Sequence, residues 1–426
     1  MDAQNPGVVA ANNDLALFEA YERFVNPSYP SFLRKLGLDK TAVRAEGATI
    51  TDSDGKTYID CTGGYGIFNL GHNHLGIIQA LKDQLSECQL FTKPLITEIQ
   101  IRAAEALAAI APGDLKCSVM YNSGSEAIDN VLKLVRLHRG PKKIITAQNS
   151  FHGHTFGALS ATGIASFKRS FKPWVPGFVH VPFGDAAALE RAVDAETAAV
   201  MLEPIQHEAG VVLPPDDYFH QVRRICNEHD LILIFDEIKT GFGKTGKMFA
   251  CEHFEVFPDI LVVGKSLGGG LVPLGAIIAK SSFWKRFGLS FTMSASSFAG
   301  NGLACRAAWA TIHYIQKDDL LNHCQKMGTI IMPRLKELVE KYSNLLKSVD
   351  GLGLLIGINA KDNKIALELV RHMIQQGILI LTAFANPSAL MVEPPLVISL
   401  EQVEKFINAL ATACEKVSNL RRLPED

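Results

Sequence analysis

The sequence predicts an α/β protein: a mainly parallel sheet covered by helices on both faces, joined to a second, smaller α+β domain. Two observations carry this. Between about residues 117 and 264, short apolar runs alternate with amphipathic helical patterns, as repeated strand–helix–strand units require. Two of those runs, 231–235 and 260–264, end abruptly in polar residues, Asp236-Glu237 and Lys265-Ser266, and ligands of such sheets sit at the carboxyl ends of strands.

The elements follow in order. Residues 14–25 carry helical spacing and stop before Pro27, which suits a docking arm. Short strands at 48–50 and 57–60 flank Asp52-Ser53-Asp54-Gly55, which has hairpin-turn chemistry. A run at 117–121 leads to a helix at 125–138, then runs at 143–147 and 198–202, a helix at 216–229 and the two polar-ended strands. From about residue 306, helical patterns at 332–342 and 364–375 mix with short strands. The expected division is an arm and small-domain segment at 1–75, a large domain at 76–305 and a C-terminal small domain at 306–426.

Composition narrows the function classes. The 426 residues suffice for a large core, and 47% hydrophobic with 20% charged residues is ordinary for a globular protein. A formal net charge of -2 offers no basic stripe for nucleic acid. No apolar run approaches the roughly 18 residues a membrane span needs. The first residues show no leader pattern, so a cytoplasmic location is expected. The 8 cysteines lack any C-x-x-C spacing and read as reduced, packed thiols. His72 and His74 form an H-x-H with no companion ligand cluster, which favours a turn or core role over a metal site.

Asp236 and Lys265 have a specific chemical use. A carboxylate at one strand end and an amine in the glycine-rich turn after the next suit the ring nitrogen and the aldehyde carbon of pyridoxal phosphate. A buried aspartate keeps the pyridine nitrogen protonated, and an apolar strand end lowers a lysine's pKa toward the neutral nucleophile. Taken singly, Asp236 also suits a helix cap and Lys265 a solvated loop. Tyr121-Asn122-Ser123-Gly124-Ser125-Glu126 leads from a strand into a helix, where small residues and free N–H groups favour a phosphate. Hydroxyls of Ser123 and Ser125 add donors, although Ser-Gly-Ser is also an ordinary N-cap. Ser150-Phe151-His152-Gly153-His154 brings an aromatic ring to the same edge, either to stack on the pyridine or to pack in the core.

With these motifs the chain resembles the class III pyridoxal-phosphate-dependent aminotransferases (fold type I) over nearly its whole length. The stretches 156–163, 176–184, 245–253 and Glu393-Pro394-Pro395-Leu396 look most like putrescine and related diamine aminotransferases. The resemblance implies a seven-stranded-type sheet, Lys265 as Schiff-base lysine and proton shuttle, and Asp236 as pyridinium partner. It also implies Gly124 and Ser125 at the phosphate, and Phe151, with His152 beside it, at the ring. Ser297 falls where the family reaches the phosphate of a neighbouring subunit's cofactor, so a homodimer with shared active sites is expected. Family relatives also include epimerases, decarboxylases and lyases, the alternative activity.

Four positions depart from the pattern. His154 and Met391 stand where glutamate-using relatives carry arginines, and neither offers the two-pronged donor set that holds a carboxylate. Lys239 stands where most relatives have a glutamine beside the cofactor's phenolic oxygen. Glu203 corresponds to a glutamate that often pairs with the arginine missing at 391. The expectation is therefore that Lys239 neutralises Glu203, or that Glu203 meets the distal ammonium of a diamine. Tyr65, with Phe68, is a candidate wall of the substrate mouth. Together Tyr65, His154 and Met391 point to primary amines without an α-carboxylate, with a carbonyl compound as acceptor.

Overall fold

A computed structural model describes residues 14–87, 95–287 and 296–420. The N-terminal residues read for a leader lie outside them, as does Cys88. Seven strands form the central sheet, in the spatial order Cys117–Tyr121, Gly275–Ala279, Ile260–Val263, Ile232–Asp236, Thr197–Leu202, Lys143–Ala147 and Phe178–Val181. Every neighbour pair is parallel except those made by Gly275–Ala279, which runs antiparallel to both its partners. The sequence reading did not foresee that strand or Phe178–Val181.

Both faces of the sheet are covered, so its central strands are apolar throughout instead of alternating. Thr197–Leu202, Ile232–Asp236 and Ile260–Val263 are buried at every position. Burying each large aliphatic side chain there stabilises the fold by roughly 1.5–3 kcal/mol. A single reversed strand leaves Cys117–Tyr121 pointing the same way as the rest, so five strand ends deliver Asn122, Gln148, Glu203, Asp236 and Gly264 with their following turns to one edge. The site lies along that edge.

Two four-stranded sheets complete the fold. Ala42–Glu46, Thr49–Asp52 and Thr57–Asp60 form an antiparallel meander whose last strand pairs in parallel with Ile378–Leu379 from the far end of the chain. Leu346–Leu352, Leu355–Ala360, Ala389–Val392 and Leu381–Thr382 form the other. Thus the N-terminal segment and the C-terminal part share hydrogen bonds, and the helix Asp14–Phe24 is fastened by its Asp14 carboxylate to Thr41 and Ser53. His72 is a core residue: its Nε2 lies 2.8 Å from the buried Asp60 carboxylate. No helix among the described residues is long and apolar enough to cross a membrane.

Candidate active site

A cavity of about 560 Å³ opens at the carboxyl edge of the sheet. Its floor comes from strand ends. Asp236 is 4% exposed; its Oδ2 lies 2.7 Å from His152 Nδ1 and its Oδ1 accepts the Ile238 N–H at 3.1 Å. Asp236 pairs across the sheet with Val262, so the next turn brings Lys265 to the same wall. Lys265 holds a left-handed backbone with φ 45°, a conformation that costs a non-glycine residue about 1–2 kcal/mol and recurs at functional turns. Burial pushes the Lys265 amine below its usual range, opposed by the charges of Asp236, Glu208 and Glu203. That shift favours the nucleophilic form.

The phosphate-type corner is built by helix Gly124–Arg139. Ser123 caps it by accepting the Glu126 N–H at 3.1 Å, and Ser123, Gly124 and Ser125 at this helix start line the cavity. Ser125 Oγ lies 3.2 Å from the His154 N–H, tying this helix to the 151–154 turn. A Cβ at 124 would sit 2.8 Å from Ile238 Cδ1, so a larger residue there requires the Ile238 side chain to shift. Phe151 lines the cavity and meets His154 edge-on at 5.1 Å between centroids. The donor set fits pyridoxal phosphate: hydroxyls at a helix N-terminus for the phosphate, a buried acid with its own histidine for the ring nitrogen, and an amine across the cavity.

Of the residues singled out from sequence, Tyr65, Ser123, Gly124, Ser125, Phe151, His152, His154, Glu203, Asp236, Lys239 and Lys265 all line this cavity. Met391 does not. It is 4% exposed in an apolar cluster with Ile205, Val211 and Ala389, and faces only a minute side cleft shared with Glu208 and Glu393. Ser297 is exposed and stands outside its own chain's cavity.

The expected partnership of Lys239 with Glu203 is overturned. Lys239 Nζ contacts the Glu393 carboxylate, whereas Glu203 Oε1 accepts the Phe151 N–H at 2.9 Å. Burial, and next the charge of Asp236, push the Glu203 carboxyl well above its usual range, so it holds its proton more tightly than an ordinary glutamate. The carboxylates that share a cleft with Met391 are Glu208, five residues after Glu203, and Glu393. Sequence reasoning missed Glu208, His207 and Glu393, which form a line: Glu393 Oε1 lies 3.2 Å from His207 Nε2, and His207 Nδ1 lies 3.1 Å from Glu208 Oε1. The only sequence signal was polarity: His207-Glu208 continues the run after Glu203, and Glu393 opens Glu-Pro-Pro-Leu.

Distant anchors hold this line. Glu237 accepts from Thr240 Oγ1 and from the Ala250 and Cys251 N–H groups at 2.7–2.8 Å, fixing the turn that carries Lys239. Lys244 donates to the Pro394 and Glu393 carbonyls at 2.8 and 3.3 Å, fixing Glu393 opposite it. Phe167 and Phe384, also missed, add aromatic walls: Phe384 stacks on Tyr65 at 5.9 Å and meets Phe167 at 6.1 Å.

Residues 37–414 match the aminotransferase class-III family. The chain is 37% identical to a putrescine aminotransferase of Pectobacterium atrosepticum, over 98% of this chain and 92% of that protein. A structure of the ornithine aminotransferase of Toxoplasma gondii, with pyridoxal phosphate partly occupying its active site, is similar at a TM-score of 0.89 and 26% identity, covering 97% of both chains. An acetylornithine aminotransferase structure from Elizabethkingia anophelis matches at a TM-score of 0.80 and 28% identity, over 95% of this chain and 99% of that one.

Proposed function

Given that this chain belongs to the class-III aminotransferases, we propose that it takes the amino group of a terminal amine, diamines above all, and passes it to a carbonyl acceptor. It is a pyridoxal-phosphate-dependent transaminase. The observation that carries the site assignment is the convergence of Lys265, the Asp236–His152 pair and the Ser123–Ser125 helix start on one cavity.

Each residue has a task in this proposal. Ser123, Gly124 and Ser125 hold the phosphate against the positive end of their helix. Asp236, oriented by His152, would accept a hydrogen bond from the ring nitrogen and keep it protonated. Phe151, which lines the cavity, would cover one face of the ring. When bound, the cofactor supplies an aldehyde that condenses with amines and a ring that stores the electron pair freed as a C–H bond breaks. Lys265 Nζ would hold the cofactor and, as a neutral amine, would take the proton from the carbon bearing the transferred amine. His154 and Glu203 border the space the substrate would fill, and Lys239 the space beside the ring.

The substrate class rests on charge. Among the described residues no arginine lines the cavity to give a carboxylate a two-pronged partner, whereas the ionised Glu208 attracts cations. The relative in Pectobacterium is named for a diamine, which agrees. That Ser297 is exposed supports a homodimer, and seven unpaired cysteines among the described residues support a cytoplasmic location. A donor screen with pyruvate, 2-oxoglutarate and simple aldehydes as acceptors tests the substrate class. Terminal amines should exceed glutamate by at least about tenfold in kcat/KM, and equal use of both would contradict the proposal.

A further inference from the structure

Lys239, His207 and Glu208 line one side of the cavity without a part in the transfer chemistry, and Glu393, which lines only the small side cleft, joins Lys239 to His207. Their charges do not cancel. Burial, and then the Lys239 cation, push the His207 imidazole down to about 3, so the ring is neutral at working pH. Burial opposes the charge of Glu208, but contacts with His207 and Lys239 outweigh it and hold the carboxyl at about 2. Burial pushes the Lys239 amine well below its usual range, and Lys239 and Glu393 form one close pair whose charges cancel whether the shared proton sits on the amine or on the carboxylate, so the surplus negative charge falls at Glu208, the end farthest along the line from Lys239. A neutral imidazole has a single N–H to share between the two carboxylates that flank it. Glu208 Oε2 accepts the Phe384 N–H at a long 3.3 Å, and its side chain remains 12% exposed.

The surroundings suit an organic cation. Tyr65, Phe167 and Phe384 surround this end with ring faces and edges, and rings attract ammonium groups by roughly 0.5–2 kcal/mol. Met391 supplies no competing cation. We propose that Glu208 is the subsite for the second, non-reacting ammonium of an α,ω-diamine, with Tyr65, Phe167 and Phe384 as its walls. Lys239, Glu393 and His207 are positioning residues that keep the Glu208 carboxylate ionised and aimed. The proposal rests on the diamine function above and adds the residue that selects it. It also replaces Glu203, whose raised pKa and place beside Asp236 suit it poorly to meeting an ammonium.

The test uses purified holoenzyme, wild type, Glu208→Gln and Glu208→Asp, with putrescine and butylamine as donors to one shared acceptor. The readout is the putrescine-to-butylamine ratio of kcat/KM. Wild type should prefer putrescine, Glu208→Gln should lower that ratio by about tenfold or more, chiefly through KM, and Glu208→Asp should keep part of it. A wild type that prefers putrescine with an unchanged ratio in Glu208→Gln overturns the subsite alone. A wild type that prefers butylamine overturns the diamine function and the subsite with it. Should Glu208→Gln fail to fold, inhibition of the wild type by fully N-methylated putrescine is compared with that by N,N-dimethylbutylamine. Binding of the dication tighter by about tenfold supports the subsite, and equal binding overturns it.

Discussion

The floor and the side wall of this cavity are built in opposite ways. The floor is made from turns that directly follow strands of one sheet, so its chemistry sits beside its structural cause in the sequence: Phe235 then Asp236, Val263 and Gly264 then Lys265, Tyr121 then Ser123 to Ser125. The wall joins Lys239 to Glu393 and His207 to Glu393, contacts that span 154 and 186 residues of chain. A parallel sheet fixes the floor for any substrate of this chemistry, while the wall is free to vary with the amine. That contrast separates what the enzyme does from what it does it to.

Floor substitutions should therefore harm every substrate alike, and wall substitutions should discriminate among substrates or act on stability. Lys265→Ala gives the largest effect, a loss of at least about a thousandfold in kcat for all donors, read in steady-state assays. Residual activity that varies with donor would break the contrast. Lys239→Met is next. It leaves Glu393, 2% exposed, without the Lys239 amine it contacts, and should cost about 3–5 kcal/mol in urea unfolding. Lys239→Met with Glu393→Leu should recover much of that, and a double variant no better than the single would place the cost elsewhere. Asp236→Asn should lower kcat by about a hundredfold for monoamines and diamines alike, because it weakens the ring-nitrogen contact.

The smallest effect lies in the pH dependence. His207 has a folded pKa of about 3 against an unfolded value near 6.5, so between these pH values the unfolded chain binds more protons. Stability should rise with pH across that window, be fully present above it, and fall by up to about 1.4 kcal/mol per pH unit on acidification. Glu208, depressed to about 2, adds stability above the usual carboxylate range that is lost as pH falls toward 2. His207→Asn should flatten the melting-temperature profile between pH 4 and 7. An unchanged acid limb would mean that this imidazole is not the group titrating.

The same contrast explains what the sequence revealed. Strand and helix periodicity is local, so Cys117–Tyr121, Gly124–Arg139 and Ile232–Asp236 emerged within a residue or two of their bounds. Gly275–Ala279 escaped because its short Gly-Ala-Ile-Ile-Ala run carries no strand-to-helix alternation. Assigning Glu203 to the charge near Met391 failed for a related reason. Two glutamates five residues apart look alike in sequence, and only the turn after Thr197–Leu202, which places Glu203 beside Phe151 and Glu208 beside Phe384, tells them apart. Met391 went wrong because strand register decides which face a residue takes, and its pairing with Gly357 turns it into an apolar cluster.

The central claim is that Lys265 serves a reversible transfer of an amino group to the cofactor and not another fate of the same amine. A single-turnover experiment tests it most directly: holoenzyme and Lys265→Ala are mixed with putrescine in the absence of any acceptor, following the cofactor's absorbance and the carbonyl product together. Wild type should release one equivalent of carbonyl product per active site as the aldehyde absorbance disappears, regain it on adding a keto acid, and lose both responses in Lys265→Ala. Continuous product formation without an acceptor, or release of carbon dioxide or free ammonia, would contradict the account.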